Sequence, residues 1–176
     1  MTEKRPLPKH YLRHAAETNR AAGFLLVPQD QPLNSSSAAI SIGLSLHSME
    51  LCGKSMLRSL GYRTGQIYQR HRQHRLLDLL GDVESEISQH SDPEVQKFRN
   101  FLLYTPTIDG QEFGNTVAAY LKRHFSQGRT AYPRSYLYPD NATFTGPQPI
   151  SALHVMAEYL VEKAKEFAEA LNYESL

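Results

Sequence analysis

The feature that most constrains this chain is a run of apolar residues near its end, spaced alternately by three and four. Ile150, Leu153, Ala157, Leu160, Ala164, Phe167 and Leu171 share one face of an α-helix, because 3.6 residues per turn bring positions three and four apart into line. Glu158, Glu162, Lys165 and Glu169 take the remaining surface. Pro149 precedes the run and Ser151 stands where a cap would. Such a seam is stable only when buried against other helices.

The rest of the chain supplies those helices. Asn34, Ser35, Ser36 and Ser37 are good N-cap residues. The seam after them is Ile42, Leu46, Met49, Gly53, Met56 and Leu60, with Gly61 as a stop. Gly53 costs about 1 kcal/mol in helix propensity, but it permits close approach of a neighbouring helix. Further helices are expected over residues 9–22, with Leu12, Ala15, Ala16, Thr18 and Ala22 inward, and over 74–88, with Leu76, Leu77, Leu80, Val83 and Ile87 inward. Asp92-Pro93 starts another over 94–103, with Val95, Phe98, Phe101 and Leu102 inward. A last one spans 112–125, with Phe113, Val117, Leu121 and Phe125 inward. No segment alternates in the way a strand requires, and no internal repeat is visible.

The expected fold is therefore all-α, an antiparallel bundle of about five to six helices. Its 176 residues suit one domain, with residues 1–34 forming an N-terminal helix and a proline-containing connection and 35–176 the bundle. A long irregular segment before the last helix, residues 128–149, mixes Pro133, Pro139, Pro147 and Pro149 with Tyr132, Tyr136, Tyr138 and Phe144. Hydrophobic residues make up 40% and charged residues 21%, which excludes a disordered chain and a membrane-embedded one. The charged N-terminal residues carry no apolar leader, and the single cysteine, Cys52, excludes an internal disulfide. A cytoplasmic protein with no membrane partner is expected.

A net charge of +1 conceals segregation. Residues 51–77 hold Lys54, Arg58, Arg63, Arg70, Arg72 and Arg75 and no acid; residues 78–94 hold only acids. Basic residues return at Lys97, Arg99, Lys122, Arg123, Arg129 and Arg134. Such runs either create a field that attracts phosphate or neutralise one another across neighbouring helices.

Three constellations carry possible chemistry. His47, Glu50, Lys54 and Arg58 form a polar stripe on one helix face, read either as a solvated ion-paired face or as a groove that aims Lys54 and Arg58 at phosphate. The run Arg70-His71-Arg72-Gln73-His74-Arg75 places two histidines three apart. With His47 and Glu50, or His154 and Glu158, these histidines raise the question of a metal. However, the Glu-x-x-His pattern of di-metal bundles is absent and flanking arginines repel cations, so no metal and no cofactor is expected. Arg129, Arg134, Tyr136 and Tyr138 combine guanidinium groups with rings, which suits unpaired nucleotides; the alternative is that the rings pack the loop down under arginine stems. Cys52 lies mid-helix beside the seam and reads as a packed side chain.

The helix from Ser37 to Leu57, with Glu50 followed four residues later by Lys54, resembles the long helix of the HEPN superfamily of helical bundles. His74-Arg75-Leu76-Leu77-Asp78-Leu79-Leu80 is similar to that family's His-plus-leucines helix start, Arg134-Ser135-Tyr136-Leu137-Tyr138-Pro139 to its Arg-Tyr-Pro turn, and the closing helix fits in place and length. The resemblance implies a bundle that commonly forms homodimers, with RNA cleavage, RNA or nucleotide binding, or toxin–antitoxin and phage-defence roles. Catalytic members use an Arg and a following His with four to six residues between them. Here the one such pair is Arg5 and His10, outside the family's position. The resemblance thus implies a non-catalytic or divergent member that binds RNA or nucleotide through Lys54, Arg58, Arg70, Arg72, His74, Arg129 and Arg134, with Tyr136 or Tyr138 stacking. Two alternatives stand beside it. One is a metal-independent ribonuclease acting through His74 with Arg70 or Arg134. The other is a protein-interaction or oligomerisation module, partnered by a protein encoded nearby.

Overall fold

A computed structural model of the chain describes residues 7–26, 35–71, 75–108, 110–125 and 150–171. Its order is α1 (Pro8–Phe24), α2 (Ser35–Ser59), α3 (Thr64–His71), α4 (Leu76–Gln89), α5 (Pro93–Gln96), a 3₁₀ turn (Phe101–Leu103), strands β1 (Thr107–Ile108) and β2 (Gln111–Glu112), α6 (Val117–Phe125) and α7 (Ile150–Ala170). The fold is all-α, apart from that one short hairpin among the described residues.

Helix α2 is the axis, packed against α1, α4 and α7. It meets them through two different seams. The large apolar residues Ile42, Leu46, Met49 and Met56 are fully buried, as their spacing requires. Gly53 belongs to this seam, and a Cβ there would lie 3.0 Å from the Leu79 side chain of α4. The close approach is therefore real and depends on the missing side chain.

The second seam consists of small residues: Ala38, Ser41, Ser45, Ser48, Cys52, Ser55 and Ser59, all buried and spaced alternately by three and four. Ser41, Ser48 and Ser55, seven apart, donate through Oγ to the carbonyls of Ala22 (3.2 Å), Ala15 (2.8 Å) and Pro8 (3.0 Å). These acceptors are also seven apart and run in the opposite direction, so α1 lies antiparallel to α2. A hydroxyl one atom beyond Cβ reaches a neighbouring backbone only where the two helices pack closely, which small side chains allow. Helix α1 buries Pro8, Leu12, Ala15, Asn19 and Ala22 against the bundle.

The remaining elements close the bundle. Residues 94–103 do not form one helix: α5 ends after a single turn and is followed by turns and the 3₁₀ segment. The expected cap is present, with Asp92 Oδ1 accepting from the Glu94 amide at 2.9 Å. Residues 112–116 also depart from the helix expected there. Gly110 and Gly114 have positive φ (77° and 44°), and Thr107 pairs with Glu112 and Ile108 with Gln111, so α6 starts only at Val117. A two-residue strand carries no alternation for a periodicity test to detect. Helix α3, which buries only Ile67 and His71, escapes the same test because two inward residues make no seam. Tyr104 stacks on Tyr159 of α7 with ring centroids 3.8 Å apart, and Phe98 meets Phe167 edge-on at 5.2 Å.

Ser45 and Ser48 offer a contrast on one seam. Ser48 Oγ is satisfied, whereas Ser45 Oγ is buried without a partner. Urea denaturation is expected to show Ser48→Ala losing about 1 kcal/mol and Ser45→Ala unchanged or stabilised by a similar amount, since only the second removes a buried unsatisfied hydroxyl.

Candidate functional site

Among the sequence-predicted site residues, His47, Glu50, Lys54, Arg58 and Arg70 are described; Arg72, His74, Arg129, Arg134, Tyr136 and Tyr138 lie outside the described residues. The α2 stripe folds inward on one side. Glu50 is 1% exposed, accepts from Lys54 Nζ, and has His47 Nδ1 3.7 Å from its other oxygen. A carboxylate taken this far from water requires such partners. Arg58 donates through Nη1 to the Tyr62 carbonyl, across the end of α2. Both cations of the expected groove already serve the protein's own acceptors.

Arg70 is engaged in the same way. Its Nε lies 2.7 Å from Asp82 Oδ2 and its Nη1 3.7 Å from Glu86 Oε1. Tyr62 donates its hydroxyl to that Glu86 oxygen. The acidic run on α4 thus ties down α3 and the end of α2, the mutual neutralisation that charge segregation allowed. His71 is buried beside them, with Nε2 3.3 Å from Asp82 Oδ2 but out of hydrogen-bond alignment. Burial holds its pKa below the ordinary histidine range; Asp82 and Asp78 oppose this, and the charges of Arg70 and Lys54 add to it. Its Nε2 is closed off from solvent, so it presents no proton donor to a substrate from that atom. Cys52 is buried and its thiol pKa is raised by desolvation, which removes it as a nucleophile.

Other cations have no carboxylate partner among the described residues. Lys122 and Arg123 at the end of α6 and Arg63 at the start of α3 are exposed, and no carboxylate pairs with their side chains among the described residues. Arg20 and Arg99 are exposed in the same way, whereas Arg13, Lys97, Lys163 and Lys165 pair with glutamates three or four residues away.

A second site lies between α1 and α7, as an open pocket of about 430 Å³. Its wall is built by Asn19, which is 5% exposed, and by His154, whose Nδ1 lies 3.0 Å from Asn19 Oδ1. Gly23 makes room for the imidazole: a Cβ there would sit 3.0 Å from His154 Cε1 and Nε2. Burial lowers the His154 pKa, with Glu158 opposing it. Sequence reasoning considered His154 and Glu158 only as metal ligands and missed Asn19, although a buried asparagine on the inward face of α1 is legible as a polar interruption of its Leu12, Ala15, Ala22 seam. No group of three metal-ligating side chains occurs among the described residues, and no described helix is long and apolar enough to cross a membrane.

No family model matches the chain, and neither a curated protein nor a solved structure matches it significantly.

The lowered histidine pKa values carry a sign. In the unfolded chain His71 and His154 titrate near the ordinary value of about 6.5, whereas the fold holds them neutral to lower pH. Between the two values the unfolded state binds more protons, so stability is full above the ordinary value and is lost as pH falls toward the folded pKa. Urea midpoints measured from pH 7.5 to 5 are expected to decline, and His71→Gln is expected to flatten that decline.

Proposed function

We propose that this chain is a non-catalytic, HEPN-like helical protein that binds RNA through cations its own carboxylates leave free. The observation that carries this reading is the exposed pair Lys122 and Arg123, adjacent on α6 and without acidic partners among the described residues, whereas Lys97, Lys163 and Lys165 pair with nearby glutamates. Arg63 is a second such group. Arg129 and Arg134 follow Arg123 in sequence, and Tyr136 and Tyr138 add rings suited to stacking on unpaired bases. Lys54, Arg58 and Arg70 are structural in this reading, since each would have to leave an internal partner to reach phosphate. The non-catalytic assignment is supported by the absence of an Arg-x4–6-His pair from the bundle sequence and by the engagement of Arg70 with α4.

Binding of a fluorescent single-stranded RNA is expected to weaken steeply with salt. Lys122→Glu/Arg123→Glu is expected to lower the steepness of log K against log salt by about 1.4, at about 0.7 per phosphate contact. Salt-independent binding, or an unchanged slope in the double variant, counts against the assignment.

A second reading, self-association, is favoured by a face of α2 that the other described residues leave partly open. Ile40, Leu44, His47, Leu51, Lys54 and Arg58 lie there at alternating three and four spacing, with Ile40 47% exposed and Leu44 and Leu51 half-buried. Partly exposed Ile40, Leu44 and Leu51 among polar neighbours on a central helix suit a second protomer. Light scattering is expected to give a dimer mass that Ile40→Glu reduces to the monomer, with the circular dichroism spectrum unchanged.

A further inference from the structure

The α1–α7 pocket has no part in RNA binding, since Lys122 and Arg123 are not among its lining residues. Its wall is nevertheless built with care. The His154 ring is seated against Gly23, where a Cβ would lie 3.0 Å from Cε1 and Nε2, and its Nδ1 is 3.0 Å from Asn19 Oδ1. An amide oxygen only accepts, so Nδ1 carries the proton and the neutral ring keeps a lone pair on Nε2. Asn19 is 5% exposed and commits its oxygen to this bond, which leaves its two amide N–H donors without a partner among the described residues. Neither His154 Nε2 nor the Asn19 amide nitrogen is sealed from solvent.

Two opposite charges complete the lining. Arg20 and Glu158 are exposed, and neither makes an ion pair among the described residues. Glu17, the acid three residues before Arg20, already accepts from Arg13 Nε at 3.0 Å. Glu162 and Lys165 also line the pocket but satisfy each other at 2.7 Å. The uncommitted groups therefore divide by helix. Helix α1 offers donors, the Asn19 amide and the Arg20 guanidinium; α7 offers acceptors, His154 Nε2 and the Glu158 carboxylate one turn further on. A multiply charged anion would meet repulsion from Glu158 and Glu162, and a multiply charged cation from Arg20 and Lys165. An uncharged apolar ligand would leave the Asn19 donors and Nε2 unpaired.

We propose that this pocket binds a small zwitterion, a molecule that carries one ammonium and one carboxylate on an apolar body. The ammonium donates to Glu158 and His154 Nε2 on the α7 wall, and the carboxylate accepts from Arg20 and the Asn19 amide on the α1 wall. Ala16 and Val161 supply apolar lining for the body. The pocket volume of about 430 Å³ lies within the roughly 300–1,000 Å³ typical of small-molecule sites. It has room for a free amino acid with a large side chain or for a dipeptide, two sources of the same chemistry. The proposal goes beyond the RNA surface and does not depend on it.

Calorimetric titration of the full chain with leucine, phenylalanine and the dipeptides Leu-Leu and Phe-Phe separates these sources. At least one of the four should bind. Its N-acetyl derivative and its C-terminal amide should each bind about tenfold more weakly, because each loses one charge-assisted contact. Glu158→Gln should weaken the unblocked probe and remove its advantage over the N-acetyl form, and Arg20→Gln should do the same relative to the amide. Both positions are exposed, so the urea midpoint should stay where it is in either variant. Lys122→Glu/Arg123→Glu should leave zwitterion binding intact while weakening RNA, which makes failure of either proposal visible separately. The proposal is overturned if no unblocked probe binds at millimolar concentration, if blocked and unblocked forms bind equally, or if Glu158→Gln and Arg20→Gln leave binding unchanged.

Discussion

The structure depends on how closely α1 can approach α2. A 25-residue helix buried on nearly all sides needs neighbours of different shapes, and α2 meets them by dividing its circumference. Large aliphatic and thioether side chains fill the space toward the rest of the bundle, while serines and alanines form a flat strip toward α1. Three of the serine hydroxyls on that strip are not a penalty, because they find α1 carbonyls at heptad intervals, whereas Ser45 Oγ is left unsatisfied. Replacing them by larger apolar groups would bury more surface but force the helices apart, and overpacking of this kind commonly costs 1–3 kcal/mol. Removing α1 would expose a polar strip on the central helix, so the first helix is part of the core rather than an appendage.

The same geometry positions both candidate sites. Docking α1 against α2 and α7 brings Asn19 to His154 across 135 residues of sequence, and the absence of a side chain at Gly23 opens the pocket they share. On the opposite flank, α4 brings its acidic run against Arg70 and the end of α2. A carboxylate as buried as Glu50 would be untenable alone; with Lys54 one turn away and His47 nearby it becomes a fixed internal charge. The consequence for function is subtractive. Some cations that look available in a linear reading are consumed internally, and among the described residues those without a carboxylate partner include Arg20, Arg63, Arg99, Lys122 and Arg123.

The periodic elements were legible, and the reason is physical. Where a helix buries a continuous seam, as in α2, α4 and α7, the three-and-four spacing is imposed by burial and can be read back from it. The inward set on α4 shifts by a fraction of a turn, with Leu79 buried and Leu77 half-buried, because a leucine-rich run leaves the exact face to the packing. The short elements were not legible: one turn at Pro93–Gln96, two residues in each strand and two buried residues in α3 provide no period. Glycines with positive φ at 110 and 114 end the expected helix by backbone geometry that apolar spacing does not encode.

The candidate site divides in the same way. Glu50 with Lys54 is a local, helix-internal pair and was visible from spacing alone, but the burial of Glu50 was not, because the neighbouring helices supply it. What the linear chain determined by itself was an all-α fold, the position of its longest seams and the segregation of its charge, since these follow from side-chain type at helical intervals. Which cations are paired, why the fit is tight at Gly23 and Gly53, and that Asn19 meets His154 were decided only by tertiary structure. Those outcomes depend on distances between helices, and interhelical distance is set by the fit of whole surfaces rather than by any local stretch of sequence.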